Sequence, residues 1–190
     1  MRGTWLVAAL SLAASGCAFT PQAVMLNPNL DAPASSVGKG RSVAVNVVDE
    51  RPKTTLGTRG VRGIGADITL KNDLPQVVQA SVSDGLRKQG FTVVPEHAAD
   101  GREMRVEIRA LEYEVTSGFW SGSLRTGCTL KGACIIGTTR PYEQVYRAEF
   151  QESIQVVQGD EANEKYINDV LSKALYGLLN DSRLSQCLAK

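Results

Sequence analysis

Two stretches of the chain repeat apolar residues at the three- and four-residue spacing of an amphipathic helix. The first begins at Asn72 or Asp73 and ends before Gly90, and its apolar positions are Leu74, Val77, Val78, Val82 and Leu86. The second follows Gly159 and Asp160, and its apolar positions are Ile167, Val170, Leu171, Ala174, Leu175, Leu178 and Leu179. Each helix needs an apolar surface to cover, and a sheet with one apolar face supplies it.

Between and around these helices, apolar residues alternate with polar ones, as in half-buried strands. The alternation predicts strands over residues 42–48, 91–94, 104–115, 123–139 and 146–156, with a turn at residues 140–143. Within residues 104–115 the apolar set shifts by one position after Ala110. A β-bulge near Ala110 and Leu111 would restore a single buried face.

These patterns together predict one α+β domain over residues 41–190. Its two layers are a mostly antiparallel sheet of about five strands and two amphipathic helices packed on one face of that sheet. The glycine-rich residues 57–65 separate the first strand from the first helix, and we expect them to form a mobile connecting loop.

The N-terminus has the three-part layout of a secretory signal peptide. Arg2 precedes an uncharged apolar stretch, and small residues lead to Cys17, a pattern that resembles the lipobox of bacterial lipoproteins. The stretch is too short to span a bilayer, which takes ~20 residues. We therefore expect a signal peptide over residues 1–16 and lipid on Cys17. The alternative is an ordinary secreted protein that is cut near Gly16 and keeps a free cysteine.

The residue after Cys17 is Ala18 rather than aspartate. By resemblance to lipoprotein sorting in two-membrane bacteria, this implies anchoring to the outer membrane on its periplasmic face, with the inner membrane as the alternative. Two or three acyl chains would make the anchor stable, since a single chain binds reversibly. Residues 17–40, with three prolines, predict a flexible tether with a reach of ~25–30 Å.

Charge narrows the range of partners. Without residues 1–16, whose one charged residue is Arg2, the chain has 20 basic and 20 acidic residues. A nucleic-acid-binding protein would show a basic excess that neutralises phosphates, so no nucleic-acid partner is expected. The balance also gives no support to electrostatic docking on anionic lipid.

Besides Cys17 the chain has Cys128, Cys134 and Cys187. On one continuous strand Cys128 and Cys134 would lie ~20 Å apart, beyond the reach of a disulfide. A hairpin at Lys131 would instead bring them together, so a Cys128–Cys134 disulfide and two buried thiols both remain open. The chain has one histidine and no C-x-x-C pair. We therefore predict neither a metal site nor a cofactor.

Few residues suggest catalysis. His97 lies in a polar stretch, and the chain has no G-x-S-x-G nucleophile motif. Glu112 and Glu114 are two residues apart, hence on one face of a strand, which is typical of the solvated side of a sheet. We therefore predict that the protein is not an enzyme. The alternative is a hydrolase that acts on an envelope polymer.

Two segments are candidates for binding. Arg59 and Arg62 lie in the glycine-rich stretch and would bind an anion through charge-assisted hydrogen bonds. The glycine spacing there matches neither common phosphate-binding motif. Phe119 and Trp120 stand between glycine and serine residues where a loop is expected. Exposed aromatic rings of this kind anchor interfaces. The alternative is that the rings fold back onto the sheet.

The run IGADITLKNDL from Ile64 to Leu74, followed by the first helix, resembles the YajG family of bacterial lipoproteins. Residues 49–52, residues 57–60 and the closing helix support the resemblance, which covers about residues 40–182 and the segment around Cys17. Phe119, Trp120 and the Cys128–Cys134 stretch have no counterpart that we can match to the family. The resemblance implies a lipid-anchored periplasmic domain without catalytic residues. We therefore expect an accessory protein that binds an envelope protein, glycan or lipid.

Overall fold

The computed structural model describes residues 20–32, 34–61, 64–117, 122–154 and 158–190. The expected signal peptide, Cys17, Arg62, Phe119 and Trp120 lie outside the described residues. Within the described ranges, no helix has the length and hydrophobicity needed to cross a bilayer.

Along these ranges the chain forms eight strands and three helices. In chain order they are β1 (Gln22–Val24), β2 (Ser42–Asp49), β3 (Gly57–Val61), β4 (Ile64–Leu70), α1 (Leu74–Lys88), β5 (Thr92–Val93), β6 (Arg102–Ser117), β7 (Gly122–Ile136), β8 (Thr139–Ile154), α2 (Asp160–Leu179) and α3 (Ser182–Leu188). A short 3-10 helix, Glu96–Ala98, connects β5 to β6.

The eight strands form one sheet that divides into two branches at β6. On one edge, β6 pairs with β7 along its whole length, and β7 pairs with β8, both antiparallel. On the other edge, the first half of β6 pairs in parallel with β2, which also pairs in parallel with β5. The second half meets β3 at a single residue, and β4 and β1 follow beyond β3.

The prediction of an α+β domain is confirmed, but about five strands understates the sheet. Three antiparallel ladders are accompanied by parallel pairings of β1 with β4, of β2 with β5 and β6, and of β3 with β6. The β2–β5 pairing is parallel because the chain between these strands crosses over through β3, β4 and α1. The helices share one layer: α1 packs on β2 and β5, α2 packs on β7 and β8, and the two helices touch each other.

The bulge in β6 lies where the shifted alternation predicted it. The register between β6 and β7 shifts between Ile108 and Ala110, which leaves Arg109 as the extra residue. Val106 and Ile108 before the bulge and Leu111 after it are all buried. One extra residue thus keeps both halves of the strand facing the helices.

The helix α1 begins and ends at its predicted signals, and α2 begins at its predicted start. Asp73 caps α1, since its side chain accepts a hydrogen bond from the backbone N–H of Gln76 at 2.8 Å. Gly90 follows the helix with φ of 81°, a left-handed conformation that favours glycine. Gly159 is the N-cap of α2. The short α3, capped by Asp181, is an element that the apolar periodicity did not predict.

In the second half of the chain, the turns do not lie where the sequence pattern predicted them. Residues 140–143 lie inside β8, and the reversal instead occurs after Ile136, with Gly137 at φ of 61°. Since β7 continues through Lys131, there is no hairpin between Cys128 and Cys134. The two cysteines are therefore too far apart for the disulfide that a hairpin would have allowed. Cys134 instead pairs with Cys187 of α3, with Cα atoms 6.2 Å apart, and Cys128 is a buried free thiol.

The expected loop over residues 57–65 is wrong for its described part, residues 57–61 and 64–65. These residues form β3 and the start of β4, which pair antiparallel from Gly57–Ile68 to Val61–Ile64. The glycines hide the alternation that would identify a strand. Gly57 is needed because the backbones approach closely: a Cβ there would lie 1.8 Å from the carbonyl oxygen of Tyr113.

The expected flexible tether over residues 17–40 is wrong for its described part, residues 20–32 and 34–40. β1 pairs in parallel with β4, and Val24 and Leu26 are buried. Further along, the backbone N–H of Gly38 donates to the carbonyl of Gln89 at 2.9 Å, and that of Gly40 donates to Gly90 at 2.7 Å. This segment is part of the domain.

A regular set of hydrogen bonds, here termed the N-terminal ladder, fastens this segment to α2. The backbone N–H groups of Met25, Asn27 and Asn29 donate to the side chains of Glu164, Asn168 and Ser172 at 3.0, 2.6 and 3.0 Å, respectively. Two residues of extended chain rise ~6.6 Å, and four residues of helix rise ~6 Å. Because these two rises are nearly equal, every second residue of the extended segment can bond to every fourth residue of the helix.

Candidate functional site

Arg59, a predicted anion-binding residue, is buried at the start of α2. Its Nη1 donates to Asp160 Oδ1 at 2.5 Å, and its Nη2 donates to the carbonyl of Gln158 at 3.3 Å. The side chain is only 1% exposed. An external anion would have to displace Asp160 to reach this guanidinium group. In the structure, Arg59 instead stabilises the contact between β3 and the start of α2.

A buried polar network continues from this ion pair. Gln22 Nε2 donates to the carbonyl of Asp160 at 2.8 Å, and Gln22 Oε1 accepts from Asn163 Nδ2 at 2.8 Å. Tyr113 donates its hydroxyl proton to Asn163 Oδ1 at 2.6 Å. Burial raises the pKa of Tyr113, so the neutral phenol that donates this bond is the stable form. The network connects β1, β6 and α2, and its role is structural.

A cleft of about 850 Å³, here termed the β6 cleft, opens where the two branches of the sheet separate. One wall is the second half of β6, from Ala110 to Thr116. The other wall is the connection from β2 to β3, from Arg51 to Thr58, together with Asp67 of β4. The cleft exists because β2 stops pairing with β6 at Ile108 and β3 pairs with it only at Tyr113.

Arg51 contributes a buried guanidinium group to the cleft lining. Its Nε donates to Asp49 Oδ1 at 2.9 Å, and its Nη2 donates to Asp49 Oδ2 at 2.8 Å. These hydrogen bonds hold the pKa of Asp49 below its usual range. The Arg51 side chain is 6% exposed, and its buried Nη1 has no hydrogen-bond partner in the described part of the chain. One charged donor therefore lacks an acceptor.

The carboxylates of the cleft are not neutralised. Asp67, Glu112 and Glu114 are exposed, and none of them takes part in an ion pair among the described residues. A shallower depression of about 100 Å³ extends from Glu112 and Glu114 across β7 to Glu149, and its one cation among the described residues, Arg125, stands opposite Glu114 but pairs with Glu149 at 3.2 Å. This part of the sheet is thus acidic and open.

On the same face of the sheet, the glutamate that precedes the bulge is buried and surrounded by cations. Glu107 is buried and contacts four cations: Arg109, Arg105 at 3.5 Å, Arg140 at 3.7 Å and Lys131 at 3.9 Å. We term these five residues the Glu107 cluster. Two further carboxylates, Glu50 and Glu143, pair with its outer cations. The carboxylate of Glu107 is thus neutralised, although the buried Nε of Arg105 has no hydrogen-bond partner among the described residues.

The candidate catalytic residues do not converge. His97 is exposed on the short 3-10 helix, whereas Glu112 and Glu114 lie in the β6 cleft. Burial raises the pKa of the Cys128 thiol to about 12, which keeps it protonated and unreactive. Over the described ranges, no group of three or more His, Cys, Asp or Glu side chains is placed to hold a metal ion.

Sequence reasoning identified Glu112 and Glu114 as neighbours on one strand face but missed the cleft around them. Arg51 and Asp67 reach it from β2 and β4, through pairings that no local pattern reveals. The one available signal was the polar run of residues 49–52, which ends β2. Arg62, Phe119 and Trp120, outside the described residues, remain predictions.

Comparison with known protein families identifies the family to which this chain belongs. A family model described as "Uncharacterized lipoprotein" matches residues 28–189. The chain belongs to the YajG family of lipoproteins. The predicted resemblance is therefore confirmed, and YajG-family membership indicates a membrane-anchored envelope protein. No curated protein sequence matches the chain.

Two solved structures resemble the YajG-family domain in fold. A putative neuraminyllactose-binding hemagglutinin homolog from Helicobacter pylori has a TM-score of 0.55 and 10% identity, covering 87% of this chain and 97% of its own. Protein XCC0632 from Xanthomonas campestris has a TM-score of 0.52 and 10% identity, covering 88% of this chain and 95% of its own. At such identity the likeness shows the fold alone.

Proposed function

We propose that this YajG-family protein is a non-catalytic binding lipoprotein of the outer membrane, anchored by acyl chains on Cys17 and facing the periplasm. Its binding site is the β6 cleft, where it holds an envelope partner. The observation that carries the proposal is the buried Arg51 Nη1, which lacks a hydrogen-bond partner in the described part of the chain and lines the same cleft as the exposed, unpaired carboxylates of Glu112 and Glu114. Buried donors without partners are uncommon in folded proteins, and a bound ligand would satisfy this one.

Binding fits these groups better than catalysis does. Glu112 and Glu114 are exposed neighbours on one strand, and the described lining of the cleft holds no histidine or cysteine beside them. General acid–base chemistry needs a group held within hydrogen-bond reach of the reacting proton, and neither side chain is held by an ion pair among the described residues. Recognition requires only complementary charge and donors. No specific feature of the described chain favours the hydrolase alternative.

Anchoring is tested by replacing the acylated residue. We expect the wild-type chain to fractionate with outer membranes and to yield an N-terminal peptide that begins at Cys17 and carries the mass of acyl chains. Cys17→Ala should leave an unprocessed, unacylated chain. A wild-type protein that lacks acyl mass at Cys17, or that fractionates with the inner membrane, would contradict this part of the proposal.

Binding is tested by photo-crosslinking in living cells. A photoreactive residue at Thr58, whose side chain lines the cleft, should give a discrete adduct identifiable by mass spectrometry. The same residue at Glu161, exposed on α2 away from the cleft, is the matched control. The proposal fails if position 58 gives no adduct or gives the same adducts as position 161.

A further inference from the structure

We propose that a second copy of this chain docks on the outer edge of β8, so that the two β8 strands pair antiparallel about a two-fold axis at Ala148 and join the two sheets into one. The inference goes beyond the proposed binding function, because β7 separates the β8 edge from the β6 cleft. Three features support it: the length of the edge, the position of Pro141, and the charges of Arg147 and Glu149.

The strand β8 is the outermost strand of its branch of the sheet. Among the strands that the structure describes, it pairs with β7 alone. It has 16 residues, whereas a typical strand has about 5–6. Natural proteins protect an exposed edge by shortening or covering it, and a long, unpaired edge is a template for pairing with another chain.

The register of the sheet shows which backbone groups of β8 face outward. The N–H of Tyr113 donates to Leu56, away from β7. Its neighbour Thr126 on β7 therefore directs its backbone groups away from β6 and toward Phe150 of β8. Because this direction alternates along a strand, the odd-numbered residues of β8 direct theirs outward. Pro141 agrees with this assignment, since a proline on an edge strand turns its nitrogen toward solvent.

The charges on β8 favour one register of self-pairing. An axis at Ala148 places Arg147 opposite Glu149 of the second copy, and the two-fold symmetry repeats this pair. Moving the axis by one residue places either two copies of Arg147 or two copies of Glu149 opposite each other, which is unfavourable. Arg147 is exposed and takes part in no ion pair among the described residues. Glu149 has one exposed partner, Arg125 at 3.2 Å.

Pro141 excludes the main competing register. An axis at Val145 would also oppose unlike charges, Arg147 and Glu143, but it would place Pro141 inside the ladder, where a donor is required. With the axis at Ala148, residues 142–154 pair with one another and Pro141 lies just beyond the end of the ladder. The charges and the proline therefore select the same register.

This ladder has the size of a specific interface. The odd-numbered residues from 143 to 153 of each copy would exchange about twelve backbone hydrogen bonds, close to the ~10 of a typical protein interface. Gln144 Nε2 donates to the outward carbonyl of Val145 at 3.4 Å, a long bond that a strand N–H would replace. The pairing would also cover part of the Val145 side chain, which is 41% exposed.

The symmetry is compatible with two lipid anchors. The two-fold axis of such a pair runs perpendicular to the sheet, so both N-terminal segments lie on the same face of the joined sheet. Both of the proposed Cys17 anchors would then reach one bilayer. Anchoring also raises the effective concentration of one copy around another. Since the pair uses both β8 edges, assembly along this edge stops at two copies.

Disulfide trapping in living cells tests the pair on the full chain. In this register Val145 lies opposite Gln151 of the second copy, with Cα atoms ~5.5 Å apart, within the reach of a disulfide. Val145→Cys and Gln151→Cys are placed on differently tagged chains in one cell, which is oxidised briefly with copper phenanthroline. Nonreducing electrophoresis should show a heterodimer. Each variant alone should give no dimer, because two copies of position 145 lie ~20 Å apart.

The chain offers a register control. Val145→Cys with Ser153→Cys moves the second thiol by two residues, beyond the reach of a disulfide, and should give little heterodimer. Positions 145, 151 and 153 are all exposed, so these variants should fold, and limited proteolysis checks this. Of the described native cysteines, Cys134 and Cys187 are bonded to each other and Cys128 is buried.

A charge swap tests the pairing of Arg147 with Glu149. Added to both trapping chains, Arg147→Glu places like charges opposite each other twice and should lower the heterodimer yield about tenfold. Arg147→Glu/Glu149→Arg exchanges the two charges and should restore the yield. Both side chains are exposed, so the variants should keep the resistance of the wild type to limited proteolysis.

Several results would overturn the inference. These are the absence of a heterodimer, an equal yield from Val145→Cys alone or from the Ser153→Cys control, an unchanged yield with Arg147→Glu, and no recovery with the charge swap. A crosslink from position 145 to a different protein would assign the edge to that partner and would also exclude self-pairing. None of these results concerns the β6 cleft, which the adduct from position 58 tests separately.

Discussion

The two halves of β6 lie on the same strand and present glutamates to the same face of the sheet, yet their surroundings are opposite. Before the bulge, Glu107 stands opposite Lys131 of β7 and is enclosed by four cations. After it, Glu112 stands opposite Gly127, which offers no charge. The partner strand on the other edge also ends between them, since β2 pairs only as far as Ile108. The glutamate of the first half is paired within the protein, whereas Glu112 and Glu114 in the second half take part in no ion pair among the described residues.

Removal of the disulfide should give the largest difference between the two halves of β6, because it should lower the stability of the fold while leaving the β6 cleft intact. Cys134 lies opposite Met104 in the first half of β6, and its bond to Cys187 closes a loop of 53 residues. We expect Cys134→Ser/Cys187→Ser to lower the free energy of unfolding by about 4 kcal/mol, since the bond restricts the unfolded chain. Urea unfolding measures this loss. The adduct from position 58 should persist in this variant, and its disappearance from a folded protein would show that the two halves are not independent.

Glu107→Gln should be the most harmful single change on this face. It leaves four cations around a neutral side chain, and breaking a buried charge network destabilises a protein by about 3 kcal/mol. The matched Glu112→Gln removes an exposed, unpaired carboxylate and should change stability by less than about 0.5 kcal/mol. Chemical denaturation of the two variants compares them directly. Similar losses for both would mean that the contrast between the halves has no energetic basis.

Gly127→Lys would convert the available half into a copy of the satisfied one. A Cβ at Gly127 meets ordinary contacts of 3.7 Å, so the new side chain fits and places a cation opposite Glu112. We expect stability to change by less than about 0.5 kcal/mol and the yield of the adduct from position 58 to fall about threefold, as for one competing exposed ion pair. Gly127→Gln is the uncharged control. An equal adduct yield in wild type and the Lys variant would argue against a role for Glu112.

Lowering the pH should cause a small loss of stability that reports on the ion pairs of the Glu107 cluster. Hydrogen bonds from Lys131 and Arg140 hold the pKa of Glu143, which pairs with these two cations of the cluster, below its ordinary value. A carboxyl group with a lowered folded-state pKa stabilises the fold above its unfolded pKa, and this contribution is lost as pH falls through the folded value. The urea midpoint should therefore fall between about pH 5 and pH 3 less steeply in Glu143→Gln than in wild type. Identical slopes would mean that this outer pair adds nothing.

The elements that could be predicted from the sequence are those whose signal is local. The period of α1 and α2 and the phase shift in β6 each appear within one segment, and all three are found. β3 and β4 were missed because glycines interrupt their alternation, and α3 was missed because a seven-residue helix is too short to show a period. The Cys134–Cys187 bond joins elements far apart in the chain, so only the folded topology reveals it.

The candidate site was predictable to a similar extent. The spacing of Glu112 and Glu114 placed both on one strand face, which is correct. Their availability depends on Gly127 across the strand pair and on the early end of β2, and both are consequences of register. Arg59 was misjudged for the same reason, because its neighbour Asp160 is distant in sequence and adjacent in space.

The N-terminal ladder determines how far this protein can work from its membrane. With lipid on Cys17, only residues 18–21 remain between the acylated cysteine and β1, a span of at most ~18 Å even when fully extended. Gln22 stands in a cross-strand row with Ile68, Gly57 and Tyr113, so the cleft lies three strand spacings, ~14 Å, from the start of β1. A partner would therefore have to be met in the layer next to the lipid surface, and the mid-periplasm would be out of reach.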